Sequence, residues 1–530
     1  MMLMLMSELN LISASLALGA RQVAGWSRPE QEVARRATDL DKGALRRLRQ
    51  QIAEGADPLG EMFCLLRAPR ERRAQGATYT PKSIVDAMVE WSACHSPVRI
   101  VDPGVGSGRF LLAAARRFPN AELLGFEVDP LAAIMARASV AAGGFASRTR
   151  IELRDYREAT LPPVDGRTLF MGNPPYVRHH LLAPFWKAWL LREGRRRGLR
   201  ASALAGLHVH FFLATACLAR PGDYGAFVTS AEWLDVNYGA LVRGLLLNGL
   251  GGRSITMLEP TVAAFSDATT TAAITTFEVA TRPGAIHLRR AASLEDLREL
   301  AAGRLVASVK LAAEPRWTAL MRSRRSPAAG MVELGELCRV HRGQATGCNR
   351  VWIAGEHGRE LPERFLQPTV TRAKELFQAG AALLDAARLR RVIDLPADLS
   401  GLAAHEREAV ERFLAALRRA GVHEGYIARH RRPWHCVGLR DPAPILATYM
   451  ARRPPAFVRN LAGARHLNIA HGLYPRTPLS DAALDRLVAF LSRSASTRGG
   501  RTYAGGLTKF EPREMERLPV PNLNALVEQA

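Results

Sequence analysis

The chain contains no CxxC pair, and its six cysteines (Cys64, Cys94, Cys217, Cys338, Cys348 and Cys436) stand far apart. Thiols scattered in this way exclude a disulfide framework and a thiolate zinc site, and they fit a reducing cytoplasm. No apolar run reaches the roughly 20 residues that a membrane span requires. The apolar start "MMLMLMSELNLISASLALGARQVAGW" is broken by Glu8 and Asn10, and no basic stretch precedes it, so neither a membrane anchor nor a secretory signal is expected. His208 and His210 form an HxH with no third ligand close by, and no metal is expected there. Internal repeats and long low-complexity tracts are missing as well. Acidic residues are in deficit, with 50 Asp and Glu against 73 Lys and Arg, a net charge of +23. Such a balance favours a polyanionic partner, most simply nucleic acid.

A length of 530 residues allows about two to four domains. A hydrophobic fraction of 48% supplies sizeable cores. Residues 1–74 read as helical, with "ALRRLRQQIAEG" the clearest amphipathic stretch. Across 75–282 strands alternate with helices, the pattern of a largely parallel α/β sheet covered on both faces. Residues 283–325 read as a connection ending in the basic "RSRRSP". From 326 to 530 the segments are shorter, arginine-rich and punctuated by Pro and Gly, as in a separate α+β domain.

The α/β stretch carries the strongest local signal. "VRIVDPGVGSGRFLLAAARRF" predicts a strand over 98–101, a glycine loop and an apolar-faced helix. Gly104, Gly106 and Gly108 let backbone approach a ligand beside a helix N-terminus. A dinucleotide fingerprint places its third glycine at the position that Arg109 occupies, so the loop is a poor site for NAD. It suits a ligand made of an amino acid and a nucleoside without a pyrophosphate. Asp102, followed by Pro103, stands where a carboxylate can meet an ammonium group. "AELLGFEVDP" ends a second strand in Glu127, an acceptor for the paired hydroxyls of a ribose. "RIELRDYREA" ends a third in Asp155 and Tyr156, an acceptor for an exocyclic amine and a face for its ring.

"FMGNPPYVRHH" then stops a strand with Asn173, Pro174, Pro175 and Tyr176. Each proline pushes the residue before it out of the α region, so the loop is stiff and extended. Neither proline donates a backbone hydrogen bond, yet both carbonyls accept. The Asn173 side chain and the Pro174 carbonyl form a rigid acceptor corner beside the flat face of Tyr176, suited to a planar group bearing an NH2.

Taken in order, these motifs resemble the S-adenosylmethionine-dependent DNA adenine-N6 methyltransferases, in the Eco57I/TaqI-like branch of restriction-modification methylases. "ATYTPKSIVDAMVEW" resembles the motif before the first strand, with Thr80 at the cofactor, and "DPGVGSGRFL", "GFEVDP", "RDYRE" and "GNPPY" follow in the family's sequence. "GAFVTSAEWL" and "FSDATTTAAITTFE" resemble later motifs, the second placing Phe265 at the target base. "VELGELCRVHRGQATGCNRVWI" and "PAFVRNLAG" resemble pieces of a recognition domain. Gly104 replaces the usual small Ala, and no acidic residue precedes GNPPY closely.

The resemblance implies a class I, Rossmann-like methyltransferase sheet with helices on both faces, followed by a C-terminal α+β target-recognition domain. It implies S-adenosylmethionine as cofactor and duplex DNA as substrate, with the adenine flipped out and held between Tyr176 and Phe265. Arg431 and Arg432 in "RHRRPWH" are expected on DNA, at phosphates or at base edges. The first 74 residues are too short for a nuclease, and no PD-(D/E)xK pattern appears, so a separately encoded restriction endonuclease is the expected partner. Methylation of a glutamine side-chain amide or of adenine in structured RNA uses the same planar-NH2 corner, and a catalytically silent DNA-binding defence subunit is the non-enzyme alternative.

Overall fold

Short apolar runs between glycine turns become nine strands: β1 (Arg99–Asp102), β2 (Glu122–Glu127), β3 (Thr149–Leu153), β4 (Thr168–Gly172), β5 (Tyr224–Ser230), β6 (Gly252–Leu258), β7 (Ala272–Glu278), β8 (Ala285–Ala291) and β9 (Arg304–Ala307). The computed structural model describes residues 7–38, 42–67, 80–259, 271–279, 282–321, 330–503, 507–522 and 526. Among them these strands form one sheet in the order β3-β2-β1-β4-β5-β7-β6-β8-β9. The first five are mutually parallel. β7 is antiparallel to both β5 and β6. The chain therefore carries a doubly wound α/β sheet whose strand order reverses between β1 and β4, the place where such sheets bind ligands.

Residues 285–307, expected as a connection, instead extend this sheet: β8 pairs with β6 and β9 with β8. Within "AIHLRRA" Ile286, Leu288 and Ala291 are buried while His287, Arg289 and Arg290 are only partly so, which gives the sequence the polar texture of a linker.

The N-terminal segment is helical, with α1 (Glu8–Ala17), α2 (Arg28–Ala34), α3 (Lys42–Ala53) and α4 (Pro58–Leu66). Further along come α5 (Lys82–Ser92), α6 (Arg109–Arg117), α7 (Pro130–Ala142), α8 (Pro184–Arg196), α9 (Leu207–Leu218) and α10 (Ala240–Leu247). "PLAAIMARASVAA" in α7 is apolar all round, and a helix of that kind must be covered on every side. The sheet covers one side, and Leu11, Ile12, Leu59 and Phe63 of the N-terminal helices cover the other. The exception inside α7 is Arg137, which has no exposed surface. Its guanidinium pairs with Glu30 at 2.7 Å and donates to the carbonyls of Val23, Ala24 and Ile151. Glu30 also accepts from the Ser27 backbone N–H, so one carboxylate both caps α2 and neutralises Arg137.

The chain divides into two compact units, residues 1–323 and 324–530. The second unit is α+β. Its five-stranded sheet runs in the order Cys338–Arg342, Ala470–Pro475, Ile445–Thr448, Phe457–Asn460, Ala382–Leu383. Helix Asp481–Ser494 is tied to that sheet by Arg459, which pairs with Asp481 at 2.6 Å and Asp485 at 2.7 Å. In "PAFVRNLAG", Asn460 donates to the carbonyls of Ala443 and Ala464, a structural use of the segment.

Candidate active site

β1 ends at Asp102 and α6 starts at Arg109, and the glycine loop between them crosses the C-terminal edge of the sheet. Gly108 has φ +89° and packs against α7: a Cβ there would come within 3.1 Å of Ala136 Cα. Gly106 has φ +53°, and a Cβ on it would meet nothing within 4 Å. The first glycine closes helix against helix, and the second leaves room in front of the loop. A Cβ on Gly104 would make ordinary contacts at 3.7 Å and beyond, so the alanine usual at that position fits here too.

The loop, the tips of β2 and β3 and the exit from β4 enclose a cavity of about 300 Å³. Its wall includes Thr80, Pro103, Gly104 and Gly106, then Glu127, Asp155 and Tyr156, and finally Asn173 and Pro175. Asp102, Gly108, Pro174 and Tyr176 are not in that wall. Asp102 lies behind the loop with no exposed surface. Its Oδ1 accepts from the Gly104 N–H at 3.2 Å, its Oδ2 has no hydrogen-bond partner, and burial lifts its carboxyl to about 8. It is packed so closely against β4 that a Cβ on Gly172 would come within 2.7 Å of it. The Tyr176 hydroxyl is buried without a partner, and that burial raises its ionisation well above the usual phenol. Phe265 lies outside the described residues.

The two acidic strand tips are already held by the chain. Glu127 Oε1 accepts from the backbone N–H groups of Val128 at 2.8 Å and Asp129 at 3.1 Å, and Oε2 accepts from Gly106 at 2.9 Å. A carboxylate has about four acceptor positions, so one remains on Oε2 and the two-oxygen acceptor read from the sequence reduces to one. Burial still raises this carboxyl, against the pull of the three N–H groups. Asp155 is engaged in a similar way by Arg157: Oδ1 accepts from its N–H at 3.0 Å and its Nε at 2.9 Å, and Oδ2 accepts from its terminal nitrogen. The Arg157 guanidinium lies 3.7 Å above the centre of the Trp186 ring. Tyr156 is buried between Phe126 and Phe211, with its hydroxyl 2.9 Å from Thr215 Oγ1.

Asn173 leaves β4 with its amide nitrogen donating to Thr80 Oγ1 at 3.0 Å. That bond fixes the plane of the carboxamide and turns its oxygen to the opposite edge.

Residues that the sequence did not single out complete the wall. Phe63 reaches it from α4, Phe211 from α9, and Leu181 and Leu182 from the segment after the prolines. Arg109, noted in the sequence only for breaking a dinucleotide pattern, also lines the cavity. These contacts join distant stretches, and no local pattern marks them. His208 and His210 are buried on α9, where burial lowers them to about 4 and about 3. Among the described residues no three His, Cys, Asp or Glu side chains gather as a metal ligand set.

The sequence matches the N-6 DNA Methylase family over residues 56–186, and the family described as "Type II methyltransferase M.Eco57I, C-terminal domain" over residues 314–530. It is 53% identical over 471 residues to type II methyltransferase M.XamI of Xanthomonas campestris pv. amaranthicola, covering 89% of this chain and 88% of that one. The chain belongs to the type II DNA N6-methyltransferases of restriction-modification systems. It is also 23% identical over 480 residues to type II methyltransferase M.AccI of Acinetobacter calcoaceticus, covering 85% of this chain and 86% of that one. The type IIG restriction endonuclease BpuSI superposes with a TM-score of 0.49 at 13% identity, covering 99% of this chain and 72% of that one.

This N6-methyltransferase uses S-adenosylmethionine. The cavity fits that group: Gly106 leaves a cradle that a Cβ would enter, Glu127 and Asp155 present acceptors at adjacent strand tips, and Phe126, Tyr156 and Phe211 offer aromatic faces between them. No helix among the described residues is long and apolar enough to cross a membrane.

In the second unit, Arg431 donates to the carbonyls of Ala345 and Thr346, and burial lowers its ionisation. Two guanidinium nitrogens of an arginine expected on DNA therefore hold the loop "RGQATGCN". Gln344 adds a bond to the Gly438 carbonyl at 2.8 Å, and Thr346 one to Asn349. Arg432, its neighbour, is exposed.

Proposed function

We propose that the methylated base is adenine, at its exocyclic N6, making the chain a site-specific DNA adenine methyltransferase (EC 2.1.1.72). The observation that carries this is the Asn173 carboxamide, fixed by Thr80 in the cavity wall and followed by two prolines that cannot rotate away. The adenine amino nitrogen is a weak nucleophile because its lone pair is delocalised into the ring. The Asn173 oxygen and the Pro174 carbonyl accept its two protons and bias it towards a tetrahedral arrangement. S-adenosylmethionine supplies an electrophilic sulfonium methyl when bound. Positioning accounts for most of the rate: two partners held in line react far faster than free ones.

An adenine inside a duplex cannot reach this corner, so it is flipped out, with Tyr176 and Phe265 as the stacking faces. Stacking contributes roughly 1–3 kcal/mol per base, which offsets much of the unstacking cost. Pro103, Gly104, Gly106, Glu127 and Asp155 hold the cofactor, with Tyr156 and Thr80 at the rim of its pocket and the Thr80 hydroxyl turned to Asn173 instead. Asp102 and Gly108 support the loop from behind. The second unit reads the target sequence, with Arg432 on a phosphate and Arg431 holding the loop at 343–349. The enzyme works in the cytoplasm beside a separately encoded endonuclease of matching specificity.

Sequencing that detects modified bases, on DNA from cells expressing this chain, tests the reading. The expected result is N6-methyladenine at one recurring sequence. Modified cytosine, or unmodified DNA from cells producing the folded protein, refutes it.

A further inference from the structure

A partly buried chain of polar contacts runs from the N-terminal helices to the Asn173 loop. Asp57 caps α4 by accepting from the Gly60 N–H at 2.9 Å. Its other oxygen accepts from the Ser107 hydroxyl at 2.5 Å and from Arg109 Nε at 3.1 Å. Arg109, at the first position of α6, passes its guanidinium on to the Thr80 carbonyl. The Thr80 hydroxyl in turn accepts from the Asn173 amide. Asp57 and Thr80 are both buried, and a buried polar chain is stabilising only when each member keeps its partner.

We infer that Asp57, Arg109 and Thr80 form a positioning relay that sets the orientation of the Asn173 carboxamide for methyl transfer. The last side-chain torsion of an asparagine is broad, with two nearly equal settings that exchange the oxygen and the nitrogen. Only one setting presents the oxygen to an amino group. Thr80 precedes Pro81, which keeps it extended, and a second contact fixes its depth beside β4. The forked guanidinium of Arg109 does so, by gripping the Thr80 carbonyl while Asp57 fixes its other side. The side chain that breaks the dinucleotide pattern at the third glycine thereby couples the glycine loop to the catalytic asparagine. The N-terminal segment enters the active site through Asp57, although it contributes no group to the transfer itself.

This inference rests on the reading of Asn173 as the acceptor of the target amino group, and the test separates the two. Thr80→Val keeps the shape of the side chain and removes the acceptor, whereas Thr80→Ser keeps the hydroxyl. With the full-length protein and duplex DNA, Thr80→Val lowers kcat about 10- to 100-fold, the scale of a misplaced reacting group. Its affinities for S-adenosylhomocysteine and for DNA, measured by calorimetric titration, stay within about threefold of the parent. Thr80→Ser recovers most of the lost rate. Arg109→Ala lowers kcat in the same way, and the double variant is little worse than the poorer single one, because both changes cut one chain.

Full kcat in Thr80→Val overturns the relay. A loss of S-adenosylhomocysteine affinity as large as the loss of kcat also overturns it, by making Thr80 and Arg109 cofactor ligands instead. Additive losses in the double variant exclude a shared chain, and if Arg109→Ala does not fold, the Thr80 pair decides alone. An active Asn173→Ala variant refutes the acceptor reading itself. An inactive Asn173→Ala beside a fully active Thr80→Val refutes only the relay.

Discussion

Asp102 has no exposed surface, and its carboxyl is lifted to about 8 by burial, opposed only by the Gly104 N–H. In the unfolded chain the same group ionises near 3.8. The folded state therefore holds an extra proton between about pH 4 and 8, and stability contributed by this residue falls as pH rises through that window. Asn is close to the same shape and has no proton to lose. In cofactor-free protein, the thermal midpoint of Asp102→Asn relative to the parent should climb steadily from pH 5 to pH 8. A constant difference over that range would show that Asp102 is already ionised when buried. At this scale the site was partly legible. The stop of β4 before Asn173-Pro174-Pro175 could be read because each proline constrains the residue before it. The occupancy of Asp155 could not: "RDYRE" contains its partner Arg157, but the pairing depends on a single helical turn that brings the guanidinium back over the carboxylate. The internal bonds of Arg431 were not legible for a related reason, since an arginine in a basic segment looks the same whether it faces a phosphate or a carbonyl of its own chain.

Helix α7 shows why the N-terminal segment is part of the catalytic unit. An all-apolar helix with one buried arginine needs both an apolar cover and a carboxylate, and α1, α2 and α4 bring them together. Removing one partner of a buried pair leaves the other charge uncompensated, at a cost of about 3–5 kcal/mol. Arg137→Ala should lower stability by that amount in urea unfolding of the first unit. Arg28→Ala, which breaks the exposed pair with Glu32, should change it by less than about 1 kcal/mol. Similar small effects from both would show that Glu30 is solvated when alone. The alternation of strands and helices over 75–282 was readable because each apolar run is short and bounded by turns. Strands β8 and β9 escaped notice because Arg289, Arg290 and Arg304 give the stretch the texture of a polar connection. Phe63 escaped because its contact with the cavity spans the sequence, and "DPLGEMF" announces a capped helix start without saying what the helix covers.

At the scale of the whole molecule, the net charge of +23 overstates what is free to meet DNA. Arg99, Arg137, Arg148, Arg243 and Arg459 spend their guanidinium groups on internal carbonyls, hydroxyls or carboxylates. Exposed arginines remain in the basic segments, among them Arg195, Arg196 and Arg200 in the first unit and Arg432 and Arg452 in the second. Charge of that kind supports affinity for a duplex without choosing a sequence. We propose that the choice of atom belongs to the corner at Asn173, and one measurement tests it most directly: transfer of a tritiated methyl group to duplex DNA by the parent and by Asn173→Ala, with the labelled base identified by mass spectrometry. The parent should label N6-methyladenine alone, and Asn173→Ala should do so about 10² to 10³ times more slowly while still binding S-adenosylhomocysteine. Label on any other base, or near-parental transfer by Asn173→Ala, would contradict the account.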